Sequence, residues 1–145
     1  MQDANNKGKK FKREGCEKAV PPPPEGARGR PPVSKYHSLK HYQWGEGCDG
    51  WNLVDDASLS VKQEHMPAGT SEQRHYHQKA QQFFYILKGK AQFEEEGEFV
   101  LLHEGEGLHI EAGKKHQISN PTNEGLEFLL CSQPSTQNDR INCQE

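Results

Sequence analysis

Read for hydrophobic and polar positions, the chain alternates with a period of two over most of its second half. Such a period places successive side chains on opposite faces of a strand, whereas a helix repeats every 3.6 residues. The alternating stretches are "LSVKQEHM" (59–66), "QFFYILKG" (82–89), "FVLL" (99–102), "GLHI" (107–110), "HQIS" (116–119) and "LEFLLCS" (126–132). Between them stand "MPAGT", "EEEGE", "HEGEG", "EAGKK" and "NPTNEG", rich in the residues that suit turns. Short strands at this spacing predict an all-β domain, an antiparallel sandwich or barrel. Within the 82–89 strand, Phe84 and Ile86 share the parity of Gln82 and are expected inside, with Phe83, Tyr85 and Leu87 on the other face. A strand apolar on both sides predicts cover on its outer face by another sheet, the N-terminal strap or a second subunit.

Composition refines this picture. The chain has 145 residues, of which only 31% are hydrophobic. Its large apolar side chains gather between Trp51 and Cys131, enough for one core. Residues 1–34 include "PPPPEGARGRPP" and read as a flexible or strapped-down segment, since proline lacks an amide donor and favours extended chain. Residues 35–50, with Tyr36, His37, His41 and Trp44, are expected to join Trp51 in packing against the barrel without a chemical role, and 134–145 to form a polar tail.

A net charge of −3, from 18 basic and 21 acidic residues, argues against nucleic acid as the main partner. No stretch approaches the roughly 20 apolar residues of a membrane span. The basic start lacks the apolar run of a secretory signal. Cys16, Cys48, Cys131 and Cys143 lack paired spacing, so free thiols and a cytoplasmic location are expected.

The chemistry concentrates in "HYHQKAQQFFYILKGKA" (75–91). His75 and His77, two apart on a strand, face the same way with Tyr76 opposite. Two imidazoles so placed can share a metal ion. Gly69 lies six residues before His75, Gln82 five after His77, and Gly89 seven after Gln82. Fifteen residues intervene before Gly105, and "GEGLHIEAGKKHQISN" then supplies Gly113, His116 and Asn120.

These anchors resemble the two motifs of the cupin superfamily, G-x5-H-x-H-x3-4-E-x6-G and G-x5-P-x-G-x2-H-x3-N, over roughly residues 51–133. The resemblance implies a double-stranded β-helix, a small jelly-roll barrel, and a homodimer. It also implies one divalent cation held by His75, His77 and His116, with zinc, iron, manganese and nickel all compatible. The sequence departs from the pattern twice: Gln82 stands where the motif has glutamate, and Glu111 where it has proline. Some cupins similar to this chain, among them uronate-processing and oxalate-binding types, have three histidines and one glutamine at these positions. Gln82 is therefore expected as the fourth ligand through its carbonyl oxygen, with Gln78 and Gln81 as fallback donors.

Four neutral ligands would leave a divalent ion with both its charges. One extra unit charge about 4 Å from a bound anion is worth about 4 kcal/mol at an effective dielectric near 20, before desolvation is subtracted. The site should favour anionic oxygen ligands. The expected function is a metal-dependent enzyme acting on a small oxygen-rich anion, such as a sugar acid or carboxylate, by isomerase, lyase or dioxygenase chemistry. A small-molecule binding or sensing module and a metal-free storage barrel are the alternatives. His65 and Glu64, on opposite faces of one strand, are candidates for moving a proton, with His65 facing the barrel mouth if Val61 points inward. His103 and His109 are expected outside, Tyr76 and Arg74 in structural roles, and Phe128 and Leu130 in the core or the cavity wall.

Overall fold

The computed structural model describes residues 19–144. Cys16 and the basic start, on which the sequence reading placed a free thiol and no export signal, lie outside the described residues. Two compact units divide the chain, residues 1–30 and 31–145. The described part of the first, residues 19–30, is exposed and contains one turn, in which the Ala27 amide donates to the Pro24 carbonyl at 3.0 Å.

In the second unit a single 3-10 turn, Lys35–His37, precedes eleven strands. They are β1 (Lys40–Trp44), β2 (Cys48–Asp55), β3 (Ser60–Met66), β4 (His75–His77), β5 (Gln81–Lys88) and β6 (Ala91–Glu95). After these come β7 (Glu98–Leu102), β8 (Gly107–Ile110), β9 (His116–Ser119), β10 (Leu126–Gln133) and β11 (Arg140–Asn142). Two antiparallel sheets result, ordered β1-β2-β3-β10-β5-β8 and β11-β4-β9-β6-β7. This is the all-β antiparallel architecture that the period of two predicts, in the jelly-roll form that the cupin resemblance implies. Among the described residues no helix is long and apolar enough to cross a membrane.

The interior changes character along the strands. Inward positions of β5 run Gln82, Phe84, Ile86, from polar to wholly apolar, and all are buried. Phe84 packs edge-on to Phe93 with ring centroids 4.8 Å apart and lies 5.8 Å from Phe128. Met66, Ile86, Phe93, Ile118, Leu126 and Phe128 complete an apolar plug beneath the polar end. On the outer face Phe83, Tyr85 and Leu87 remain 43%, 38% and 39% exposed, so among the described residues nothing covers them fully.

Two motif residues prove to be architectural. Gly89 has φ +83°, and a side chain there would meet the Gly125 carbonyl, so only glycine ends β5 this closely against the start of β10. Asn120 is buried, and its amide donates to the carbonyls of Met66, Pro67 and Glu124 while its oxygen accepts from Thr122. It ties the turn after β3 to the turn before β10.

Both ends of the barrel region differ from the sequence reading. Residues 35–50 do not merely pack on the barrel, because β1 and the start of β2 extend the larger sheet. Residues 134–145, expected as a tail, supply β11, which pairs with β4 in the register Arg140 to His77 and Asn142 to His75. Edge strands half exposed to water need no hydrophobic alternation, so these two left little trace in the pattern.

Asp139 anchors the returning C-terminal segment. Its carboxylate accepts backbone amides from Gln78, Lys79 and Ala80 at 2.9–3.2 Å. Burial works against its charge, but the amides of Ala80, Lys79 and Gln78 outweigh burial and hold the carboxyl below the usual range. A depressed folded-state value means the stabilisation is present above the ordinary aspartate pKa and is lost as pH falls through and below it. Asp139→Ala should lower unfolding stability by about 2–4 kcal/mol at neutral pH in urea denaturation. The gap between wild type and Asp139→Asn should narrow as pH drops from about 5 to about 3.

Candidate metal centre

Strand pairing brings the three histidines together. His75 and His116 face each other directly across the β4–β9 ladder, and His77 follows two residues along β4 on the same face. Ring centroids lie 4.5 Å apart for His75–His116, 5.0 Å for His75–His77 and 5.9 Å for His77–His116. All three side chains are buried, and one nitrogen from each falls within 4.8 Å of the others, an arrangement that can hold a metal ion. The loop carrying Glu111 in place of proline still delivers His116: Gly113 takes φ +83° and donates its amide to the His77 carbonyl.

Backbone carbonyls fix the tautomers. His75 Nδ1 sits 2.8 Å from the Gln73 carbonyl, His77 Nδ1 3.2 Å from that of Asp139, and His116 Nδ1 2.9 Å from that of Lys114. A carbonyl only accepts, so each Nδ1 carries the proton and each Nε2 presents a lone pair. Burial pushes the imidazole pKa down to about 3 at His75 and about 4 at His77, and lowers it at His116. All three rings are neutral at physiological pH, the form that ligates metals.

Gln82 enters from the opposite sheet. It pairs with Ser132 across β5–β10 and donates its amide nitrogen to Ser132 Oγ at 3.1 Å. That bond leaves Oε1 as the free end of the amide. Gln82 Oε1, His77 Nε2 and His116 Nε2 are buried and have no hydrogen-bond partner among the described residues. Each unpartnered buried acceptor costs about 1–3 kcal/mol. His77 and His116 belong to the three-histidine cluster and Gln82 lines the same cavity as His75 and His77, so these bare electron-pair donors fit a cation. The fallback oxygens do not compete: Gln78 and Gln81 are exposed, and Gln81 is engaged with Gln133 and His109.

The cavity beside these groups encloses about 220 Å³. Phe84, Ile118 and Phe128 form apolar walls, and Leu130 reaches it as well. Lys62, Arg140, Glu64, Glu72 and Tyr42 supply polar groups around it. Glu72 lies 3.8 Å from His75 Nδ1 and accepts the Ile118 amide, and burial raises its carboxyl to about 8.

Several expectations change here. Inward positions on β3 are Ser60, Lys62, Glu64 and Met66, so Val61 does not face inward and neither does His65. His65 instead lies against Gly125, where a side chain on the glycine would crowd its ring. Of the two proton-moving candidates, only Glu64 reaches the cavity. Trp44 also lines it, so the 35–50 segment contributes to the site rather than merely packing. Arg74 pairs with Glu94 at 2.9 Å, His103 with Glu106 and His109 with Gln81, all outside the cavity. Tyr42, Glu72 and Arg140 escaped the sequence reading because they sit in an edge strand, a turn and the C-terminal strand, where no motif marks them.

Comparison with known proteins agrees with this architecture. A cupin-domain family model matches residues 62–132. The oxalate-binding protein of Thermotoga maritima is 34% identical over 64 residues, which cover 44% of this chain and 53% of that protein. The match thus spans about half the length of that curated relative. Among solved structures, KdgF from Halomonas sp. superposes with a TM-score of 0.67 at 16% identity, covering 77% of this chain and 98% of that one. A predicted oxalate decarboxylase from Thermotoga maritima gives a TM-score of 0.63 at 23% identity, covering 71% and 98%. At such identities the structural likeness speaks to the fold. With the motif spacing, the family match and the jelly-roll topology in agreement, the barrel that carries these three histidines is a small cupin domain.

Proposed function

We propose that this chain is a metal-dependent enzyme acting on a small, oxygen-rich anion such as a sugar acid or carboxylate, with His75, His77, Gln82 and His116 holding one divalent cation. The observation that carries the reading is the set of buried bare acceptors, His77 Nε2 and His116 Nε2 in the three-histidine cluster and Gln82 Oε1 on a residue lining the same cavity as His75 and His77. Zinc, iron, manganese and nickel all suit imidazole with a neutral oxygen. A bound ion would supply Lewis acidity toward a substrate oxygen.

The chain's own groups favour an anion. Lys62 and Arg140 line the cavity, and burial raises the opposing carboxyls of Glu64 and Glu72 to about 7 and about 8, which reduces their negative charge near neutrality. Phe84 and Phe128 shield the inner end from water. A relative named for binding oxalate is consistent with a small carboxylate as ligand. That same name favours a second reading, capture of a small carboxylate without turnover. The apolar row Phe83, Tyr85 and Leu87 suits cover by a second copy of the chain, so the assembly proposed is a homodimer.

Protein purified without added metal should contain about one divalent ion per chain by elemental analysis, and Gln82→Ala should weaken its affinity about 10- to 100-fold. Gln82→Glu should keep the ion but weaken oxalate binding at least about tenfold in calorimetry, because the added carboxylate cancels one positive charge. Iron with oxygen uptake would select dioxygenase chemistry, and another metal without uptake would select isomerase or lyase chemistry. Light scattering should give twice the chain mass for wild type and the single mass for Phe83→Glu combined with Leu87→Glu.

A further inference from the structure

Across the larger sheet, one row of paired residues is built unlike its neighbours. Tyr42 on β1 pairs with Gly50 on β2, and Gly50 pairs with Glu64 on β3. Because Gly50 has no side chain, the Tyr42 ring lies across β2 and donates its hydroxyl to Glu64 Oε1 at 3.0 Å. A methyl group at Gly50 would overlap the far end of that ring. The missing side chain is the notch through which an edge-strand tyrosine reaches a carboxyl two strands away. Glu64 is 8% exposed and lines the cavity, and its Oε2 takes no hydrogen bond from the described residues.

The geometry points to Glu64 as the catalytic residue that removes and returns a substrate proton in this cavity, with Tyr42 as its positioning residue, seated by Gly50. This rests on the reading of the site given above and names the group that reading left open. Tyr42 is the weaker acid of the pair, since burial and then the charge of Glu64 push its hydroxyl well above its ordinary value. It stays a fixed donor and holds one carboxyl oxygen, leaving the other for substrate. Burial lifts the Glu64 carboxyl to about 7, against the hydroxyl of Tyr42 and the charges of Lys62 and Arg140. Glu72 is the other acid of this cavity, and His75 and His77 are the imidazoles that line it. A carboxyl balanced near neutrality can both take and give a proton.

In the step, the carboxylate accepts a proton from a carbon beside a carbonyl group. The C–H electron pair becomes part of a carbon–carbon double bond as the carbonyl oxygen takes up its π pair. Return of a proton from the carboxyl to carbon restores the carbonyl, and no further reactant is consumed.

The test follows deuterium entry from D2O into pyruvate and D-galacturonate by NMR, using zinc-loaded protein, alongside carbon-13 titration of the Glu64 carboxyl in metal-free protein. Wild type should exchange protons in at least one compound. Glu64→Gln should slow that exchange at least about 100-fold while retaining its zinc. Tyr42→Phe and Gly50→Ala should each raise the Glu64 titration midpoint, by similar amounts, and Tyr42→Phe combined with Gly50→Ala should raise it no further. Because a methyl at Gly50 displaces only the end of a flexible side chain, Gly50→Ala should fold. A Glu64 titration unmoved by Gly50→Ala overturns the positioning device. Undiminished exchange in Glu64→Gln, or zinc-bearing wild type that exchanges neither compound, overturns the catalytic assignment. Wild type that binds no zinc or other divalent ion overturns the metal-site reading instead, and the titration still decides the clamp.

Discussion

Three backbone carbonyls, those of Gln73, Lys114 and Asp139, determine what the barrel's polar end can do. By accepting the Nδ1 protons of His75, His116 and His77 they leave three Nε2 lone pairs, and burial keeps the rings neutral. Reverse the tautomers and the same rings would present protons to one another. The bare acceptors are costly in an isolated chain, and a cation reverses the sign of that cost by supplying the partner they lack. Tautomer control by carbonyls is thus the constraint to which the donor atoms, charge and cavity chemistry are all tied.

Around that point the interior grades from polar to apolar within a few residues. On β5 the inward side chains pass from Gln82, bonded to Ser132, to Phe84 and then Ile86. Phe84 touches both regimes, its ring 6.1 Å from that of His116 and 4.8 Å from that of Phe93. The apolar plug gives the three histidines and Gln82 a packed floor, and its low polarity strengthens every electrostatic interaction above it. It also explains why two acids near the cavity, Glu64 and Glu72, are held closer to neutral charge than surface carboxylates would be.

The last segment of the chain closes the site from outside the motif. Asp139 gathers three amides of the turn between β4 and β5, its carbonyl orients His77, and the next residue, Arg140, lines the cavity. One short polar stretch therefore sets the position of the histidine strand β4, the tautomer of His77 and a cationic wall.

Alternation and turn residues in the sequence determined the all-β class, the strands β3, β5 and β7 to β10, and the spacing of His75, His77, Gln82 and His116, because these depend on local period and on motif distances, whereas β2 and β6 left no such trace. The inward parity of Phe84 and Ile86 was legible for the same reason, since burial on β5 follows a strict period of two. Parity on β3 was not, because its inward face carries Lys62 and Glu64 while Val61 faces out, and a polar cavity inverts the usual hydrophobic cue. Only tertiary structure decided the rest: that β1 and β11 join the sheets, that Tyr42 reaches Glu64 over Gly50, and that Asp139 and Arg140 belong to the site. The Tyr42–Glu64 bond spans 22 positions and the His77–Asp139 bond 62, and the edge strands pair through backbone, so no local hydrophobic pattern encodes them.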